Sequence, residues 1–234
     1  VTELDATTYP AWQEQIAEAE ATGAAVPRPP RRYPGYPTLP LPRCRPRWTA
    51  SLDSVLAGRR SPEAFAMGQP SRRTLGRLLQ FAHGVTGPDG RGPVPSAGGL
   101  QGLELYVGVL SPGWLTAGVY HYDRVGHSLS ELERDFGRQE WEALVPVLSF
   151  VPGGSLLWLI VGDGERVTAK YGERGRRFLL LEAGHLMQNL CLLSASLGLG
   201  TRPLGGYFEE AIARRLRLLG RDEVLSVGVC GVGI

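Results

Sequence analysis

The sequence predicts an α+β domain, on three observations. Segments rich in strand formers (103–110, 117–123, 155–163 and 223–233) are mixed with helical segments, without the regular βαβ alternation that builds a doubly wound parallel sheet. The stretch 178–197 carries apolar residues on most faces, as the central helix of a core does. A length of 234 residues, with 43% hydrophobic and 21% charged side chains, suits one substantial domain or one domain with a tail.

Each element has its local reason. Residues 10–22 (PAWQEQIAEAEAT) are mostly helix formers, and Gly23 can close the helix they make. Prolines in VPRPPRRYPGYPTLPLPRCRPR (26–47) remove backbone donors and fix φ, so this reads as an extended arm or linker running over a surface. Residues 1–50 are therefore expected as an N-terminal helix and Pro/Arg-rich arm, and 51–234 as the globular domain. SLDSVLAGRRS (51–61) is a short helix leading into a basic turn. In SRRTLGRLLQFAHG (71–84), Ser71 caps a helix whose Leu75, Leu78, Leu79 and Ala82 recur at helical spacing, and Gly84 stops it. A Gly/Pro-rich loop (86–99) precedes the strands LELYVGVL (103–110) and AGVYHYD (117–123). Residues 128–148 read as helical and SLLWLIVGD (155–163) as a buried strand. FEEAIARRLRLLG (208–220) is an amphipathic helix, and EVLSVGVCGVG (223–233) is the last strand.

Composition narrows the function classes. A net charge of +2 is too small to imply nucleic acid, and the arginine clusters at 28–47, 72–77 and 214–221 read as solvated faces. Cys44, Cys191 and Cys230 are odd in number and lack metal-ligand spacing, which argues against a disulfide framework or a metal and for a reducing cytoplasm. Cys191 and Cys230 lie in apolar runs and read as small core residues. The N-terminus has no signal pattern. Glu182, His185, Gln188 and Asn189 interrupt the longest apolar stretch and would be costly in lipid, so it is expected to be a buried helix and not a membrane span. Within it, His185 reads as a hydrogen-bonded core histidine.

Four places hold residue types that suit chemistry. Arg59, Arg60 and Ser61 offer two guanidinium forks and a hydroxyl to a phosphate ester. In PSAGGLQ, residues Pro95, Ser96, Ala97, Gly98 and Gly99 are small enough for backbone N–H groups to approach a flat or anionic ligand, although taken alone the segment reads first as a tight turn. Leu204, Gly205 and Gly206 make a turn that opens an acidic helix start. The fourth place is KYGERGRRF. Of 25 basic residues, 24 are arginine, and Lys170 is the only lysine. Lysine can lose its proton when its surroundings demand it, whereas arginine effectively cannot, and a cation beside Tyr171 favours the phenolate. Lys170 and Tyr171 thus form a proton-transfer pair or, on the plain reading, a solvated cationic turn. Neighbours on a helix point about 100° apart, so both can serve one site only at a helix end or on a loop, which Gly172 and Gly175 would supply.

Taken in order, YPGYPTLPLPR, RRS, VPSAGGLQGLELYVGV, GVYHYD, KYGERGRRFLLLEAGHLMQNLCLLSASLGLG and LGGYFEE resemble the flavin-dependent nitroreductase superfamily, and within it the SagB-type branch of azoline dehydrogenases, over residues 33–234. The resemblance implies a nitroreductase-like fold with a central antiparallel sheet flanked by helices, and a homodimer with FMN at its interface. It assigns Arg59, Arg60 and Ser61 to the FMN phosphate and ribityl chain. Pro95–Gly99 would approach the flavin from the partner subunit, and Leu204, Gly205 and Gly206 would lie against its ring. Lys170 and Tyr171 match the branch's catalytic pair, which implies oxidation of thiazoline or oxazoline rings in a peptide or carrier-bound substrate to the azoles, with other biosynthetic proteins as partners. The chain departs from the family pattern in three places. It has RRSPEAF without a further nearby arginine, Gly99 where many relatives have asparagine, and GVCGVGI in place of a Lys-x-Arg phosphate clamp, for which Arg202 could substitute. Two competing readings on the same fold are an NAD(P)H-dependent nitro or quinone reductase and a non-catalytic partner in a biosynthetic complex.

Overall fold

A computed structural model of the chain describes residues 8–23, 31–46, 50–218, 220 and 222–233. Its centre is a seven-stranded sheet, antiparallel throughout, built from β1 (Thr38–Pro40), β2 (Leu103–Val109), β3 (Gly118–Asp123), β4 (Ser128–Arg134), β5 (Leu156–Asp163), β6 (Leu199–Leu204) and β7 (Asp222–Val232), in the order β1-β4-β3-β2-β5-β7-β6. The helices are α1 (Thr8–Ala21), α2 (Leu52–Gly58), α3 (Arg72–Ala82), α4 (Arg138–Leu144), α5 (Gly164–Tyr171), α6 (Arg174–Ser196) and α7 (Glu209–Arg215).

The sheet is covered on both sides, which explains why β5 is apolar without a break from Leu156 to Val161. In β5, Leu156, Trp158 and Ile160 join the core beneath α3 and α6, while Leu157, Leu159 and Val161 join the core on the side of α4 and α7. Helix α3 forms as its sequence predicts. Ser71 accepts the amide of Thr74, the residues Leu75, Leu78, Leu79 and Ala82 are all fully buried, and the Gly84 amide closes the end on the carbonyls of Leu79 and Gln80. Helix α6, with 23 residues, is long and apolar enough to cross a membrane. It instead packs on α3, α5 and four strands of the sheet, and its Glu182 is buried and hydrogen-bonded. Cys191 and Cys230 sit in this core, as expected.

Several sequence expectations need correction. The helix expected over 128–148 is in fact strand β4, helix α4 and a 3-10 turn over Pro146–Phe150. Asp123 accepts the amides of Val125 and Gly126 and turns the chain into a β3–β4 hairpin, with His127 in the left-handed region at φ 53°. That local turn outweighs the helix-forming content of SELERD. Strand β6 is absent from the sequence expectations, and it carries Gly200 and Pro203, two residues unfavourable in a strand. It lies at the sheet edge, where a missing amide donor is tolerated. His185 is exposed on α6 and not a core histidine. The 208–220 helix ends early, at Arg215, because Arg217 adopts φ 52°.

The arm is part of the fold over residues 31–46. Its β1 pairs with β4, and Leu41 and Cys44 are buried; positions 26–30 and 47 lie outside the described residues. At its start, Arg31 reaches into a buried polar cluster. Its backbone amide donates to Glu104 (3.0 Å), and its guanidinium reaches Tyr106 (3.1 Å) and Asp222 (2.6 Å). Glu104 also meets His121 (3.0 Å) and Arg166 (3.2 Å).

A buried imidazole makes the fold acid-sensitive. His83 caps α3 at 4% exposure, and its Nδ1 has no partner. Burial first, and the Arg124 charge second, hold it down at about 3. The unfolded chain would bind this proton near pH 6.5, so the contribution of His83 is complete above that pH and is lost as pH falls from about 6.5 towards 3. Denaturant titrations at several pH values should show stability falling by up to about 1.4 kcal/mol per pH unit in that window from this residue. The slope should shrink in His83→Phe. An unchanged slope would remove His83 as the cause.

Candidate active site

The lysine–tyrosine pair occupies the last turn of α5. Asp163 caps the helix start by accepting the Arg166 amide, and Gly172, at φ 57°, ends it with its amide on the Thr168 carbonyl. This is the helix terminus that the glycines of the sequence suggested. The Lys170 ammonium lies 5.6 Å from the centre of the Tyr171 ring, and that ring stands edge-on to Phe178 at 5.1 Å. Packing of Phe178 thus fixes the phenol, and the lysine folds over it.

The glycine loop comes to the same place. Residues Ala97–Gly99 form a 3-10 turn in which Gly98 and Gly99 have φ of 58° and 70°. A Cβ added to Gly98 would lie 2.5 Å from the Tyr171 hydroxyl and 3.6 Å from Cδ of Lys170. Glycine is needed there on two counts, backbone sign and contact. Gly98→Ala should therefore displace the phenol and lower turnover while costing about 1 kcal/mol or more of stability. A Gly98→Ala protein with unchanged rate and melting temperature would disprove the contact.

Two further groups hold the loop. Ser96 Oγ accepts the Gln101 amide at 2.8 Å, and the Glu182 carboxylate accepts the Ala97 amide at 2.7 Å from its place on α6. Burial pushes the Glu182 carboxyl up, against the pull of the Ala97 amide and Ser96. In the sequence, Glu182 stands out only as a group too costly for a membrane span. A carboxylate inside an apolar helix was the available signal for a buried partner. On the outer side of the loop, a cavity of about 480 Å³ is lined by Pro95, Ser96, Gly98, Gly99, Arg91 and Gln101.

The phosphate candidates lie elsewhere on the chain. Arg59 caps the end of α2, and the Arg60 guanidinium folds back onto the carbonyls of Ala57 and Arg59 at 2.8 Å. Ser61 is exposed beside them. Arg59, Arg60 and Pro62 face Gly198 and Gly200 across an open cleft of about 680 Å³. Arg202 donates to the Pro62 carbonyl at 3.2 Å, which brings a third guanidinium next to Arg-Arg-Ser. Leu204, Gly205 and Gly206 follow at the other end of β6. Gly205 faces open space, whereas a Cβ on Gly206 would strike Val147 at 2.4 Å. Within one chain, then, Lys170 and Tyr171 meet Gly98, and Arg59–Ser61 meet the start of β6.

This donor set fits FMN. Two guanidinium forks line a cleft wide enough for a phosphate and chain, Ser61 is exposed next to them in the sequence, and an unobstructed glycine at Gly205 leaves room for a flat ring.

Comparison with known proteins agrees with this architecture. The Nitroreductase family model matches residues 56–234. The nitroreductase-like protein MJ1384 of Methanocaldococcus jannaschii is 34% identical over 168 residues, covering 71% of this chain and 84% of its own length. The microcin B17-processing protein McbC of Escherichia coli is 30% identical over 161 residues, 63% of this chain and 57% of its own length. A chain of the E. coli microcin synthetase McbBCD complex, solved with truncated pro-MccB17 bound, superposes with a TM-score of 0.66 at 22% identity over 98% of each chain. A structure from Exiguobacterium sibiricum, solved in complex with FMN, has a TM-score of 0.55 at 14% identity, covering 79% of this chain and 89% of its own.

Proposed function

The chain belongs to the nitroreductase family, whose members bind FMN and are generally flavin-dependent oxidoreductases, and from that premise we propose that it oxidises azoline rings in a peptide to azoles. The observation that carries this reading is the meeting of Lys170 and Tyr171 with Gly98 at the end of α5. A reductase fed by a nicotinamide has no need of a titratable amine at that position. The similarity to McbC supports the same reading.

Aromatising a thiazoline or oxazoline removes one proton and one hydride. The proton on the carbon α to the ring imine is the acidic one, and Lys170 as the free amine takes it. The Tyr171 hydroxyl, with its ring packed on Phe178 and Gly98 beside it, orients the ring or shares the proton. When bound, FMN supplies the two-electron acceptor for the hydride. Arg59, Arg60 and Ser61, with Arg202 in place of a C-terminal clamp, would hold its phosphate and ribityl chain. Pro95–Gly99 and Leu204–Gly206 would flank its ring.

A second copy of the chain completes the site in this reading. Leu52, Leu56, Leu180 and Leu181 on α2 and α6 are 50–64% exposed, an apolar strip that a homodimer would cover. The complex that contains McbB, McbC and McbD supports further partner proteins that present the peptide.

The test is aerobic incubation of the FMN-loaded protein with a thiazoline peptide, read as loss of two hydrogens by mass, beside NADPH-driven bleaching of a nitroarene. Turnover of the nitroarene alone would replace the proposal with a reductase. A protein that stays colourless after addition of FMN would point to a non-catalytic partner.

A further inference from the structure

The candidate base is already occupied. Lys170 donates from Nζ to Oε1 of Glu20 at 2.8 Å, and Glu20 belongs to α1, 150 residues earlier in the chain. Helix α1 packs on α5, with Ala19 buried at 5% exposure as its anchor beside Glu20. Resting on the reading that Lys170 is the base, we propose that α1 is an autoinhibitory strap, and that Glu20 is the positioning residue through which it holds Lys170 out of use.

A lysine accepts a proton only through the lone pair of its neutral amine, and an ammonium donating to a carboxylate has none. The Glu20 hydrogen bond, the largest influence on Lys170, raises its pKa, and the Tyr171 phenol adds to this; burial opposes both. The carboxylate seen on the Lys170 amine is that of Glu20. The loop presents Gly98, and α6 presents Phe178 to Tyr171 and commits Glu182 to the Ala97 amide; Glu173 and Arg174 follow beyond Gly172. Glu20 is therefore the group that sets the resting state.

The geometry also says why the lock can open. The Glu20 side chain is 56% exposed, and exposed ion pairs are weak. A peptide that lies over the end of α5 with contacts of its own can take the place of α1, and the ion pair adds little to the cost of that exchange. Until it does, the amine stays charged and tethered, which keeps a reactive base from acting without substrate.

Because Lys170 is the only lysine, amine chemistry reads it directly. The experiment is acetylation of the purified protein without substrate over a range of pH, quantified at the peptide 167–174, in which a modified Lys170 blocks tryptic cleavage. Near pH 8, Glu20→Gln should label about two- to five-fold faster than wild type, and its labelling profile should move to lower pH. Glu20→Asp should keep the contact and stay closer to wild type. Glu18→Gln, an exposed charge on the same helix, should label as wild type does. Equal rates and profiles for wild type and Glu20→Gln overturn the strap. The readout needs neither FMN nor azoline, so it stands or falls apart from the proposed reaction. In the loaded enzyme, Glu20→Gln should also shift the rising limb of the azoline pH–rate profile to lower pH.

Discussion

Lys170→Arg should lose about 100-fold or more of the proposed azoline turnover while keeping FMN content and melting temperature at wild-type values. The substitution is severe chemically and mild structurally. Arginine can keep the charge, the contact with Glu20 and the place over the Tyr171 ring, because the lysine ends on the partly exposed tip of α5 and not in the core. It cannot give up its proton at any useful pH. A role in charge alone would therefore survive the exchange, and a role as base would not. Tyr171→Phe is the companion variant. It keeps the edge-on packing against Phe178 and removes only the hydroxyl beside Gly98. If the phenol orients and the amine takes the proton, the tyrosine variant should lose less than the lysine variant. Stopped-flow measurement of flavin reduction with a thiazoline peptide separates the two, and a wild-type rate in Lys170→Arg would end the general-base reading.

How much of this was visible in the sequence depends on how local each cause is. Helix α3 was legible because its cap, its buried face and its stop all lie within 71–84. The end of α5 was legible because Gly172 stands next to the pair it terminates. Strand β4 was not, since SELERD has helix-forming content and only the turn set by Asp123, together with pairing to β3, decides for a strand. Strand β6 was hidden by a proline that only an edge position permits. In the candidate site, the residue types were readable and their meetings were not. Gly98 reaches Tyr171, Glu182 reaches Ala97 and Glu20 reaches Lys170 across separations that no sequence spacing encodes. The arm shows the same limit. Its prolines predicted an extended path, but nothing local said that Arg31 would end in the interior.

That interior contact leads to the largest expected effect on stability. Glu104→Ala should cost about 3–5 kcal/mol, the range for removing one member of a buried charge cluster. Glu104 is 2% exposed, and its two oxygens serve His121, Arg166 and the Arg31 amide. Without them, Arg166 at 5% exposure loses a buried anionic partner, while its contacts with Asp163 and the Gln101 carbonyl remain. His121, whose Nδ1 is already without a partner, loses its Nε2 contact as well. Burial alone would push the Glu104 carboxyl up, but the hydrogen bond and charge of His121, the Arg31 amide and Arg166 outweigh it and hold the group at about 2. Its contribution is thus complete above the unfolded value of about 4.3 and lost as pH falls towards 2. Glu104→Ala should therefore flatten the stability curve below about pH 4.5, where wild type still falls. Glu104→Gln, which keeps the shape and one acceptor, should sit between the two. The arm should respond too, since Arg31 and Tyr33 are tied to the same cluster through Tyr106. Trypsin should cut after Arg31 or Arg32 faster in Glu104→Ala than in wild type. A variant within about 1 kcal/mol of wild type, with no change in cleavage, would mean that the cluster is self-supporting without its carboxylate.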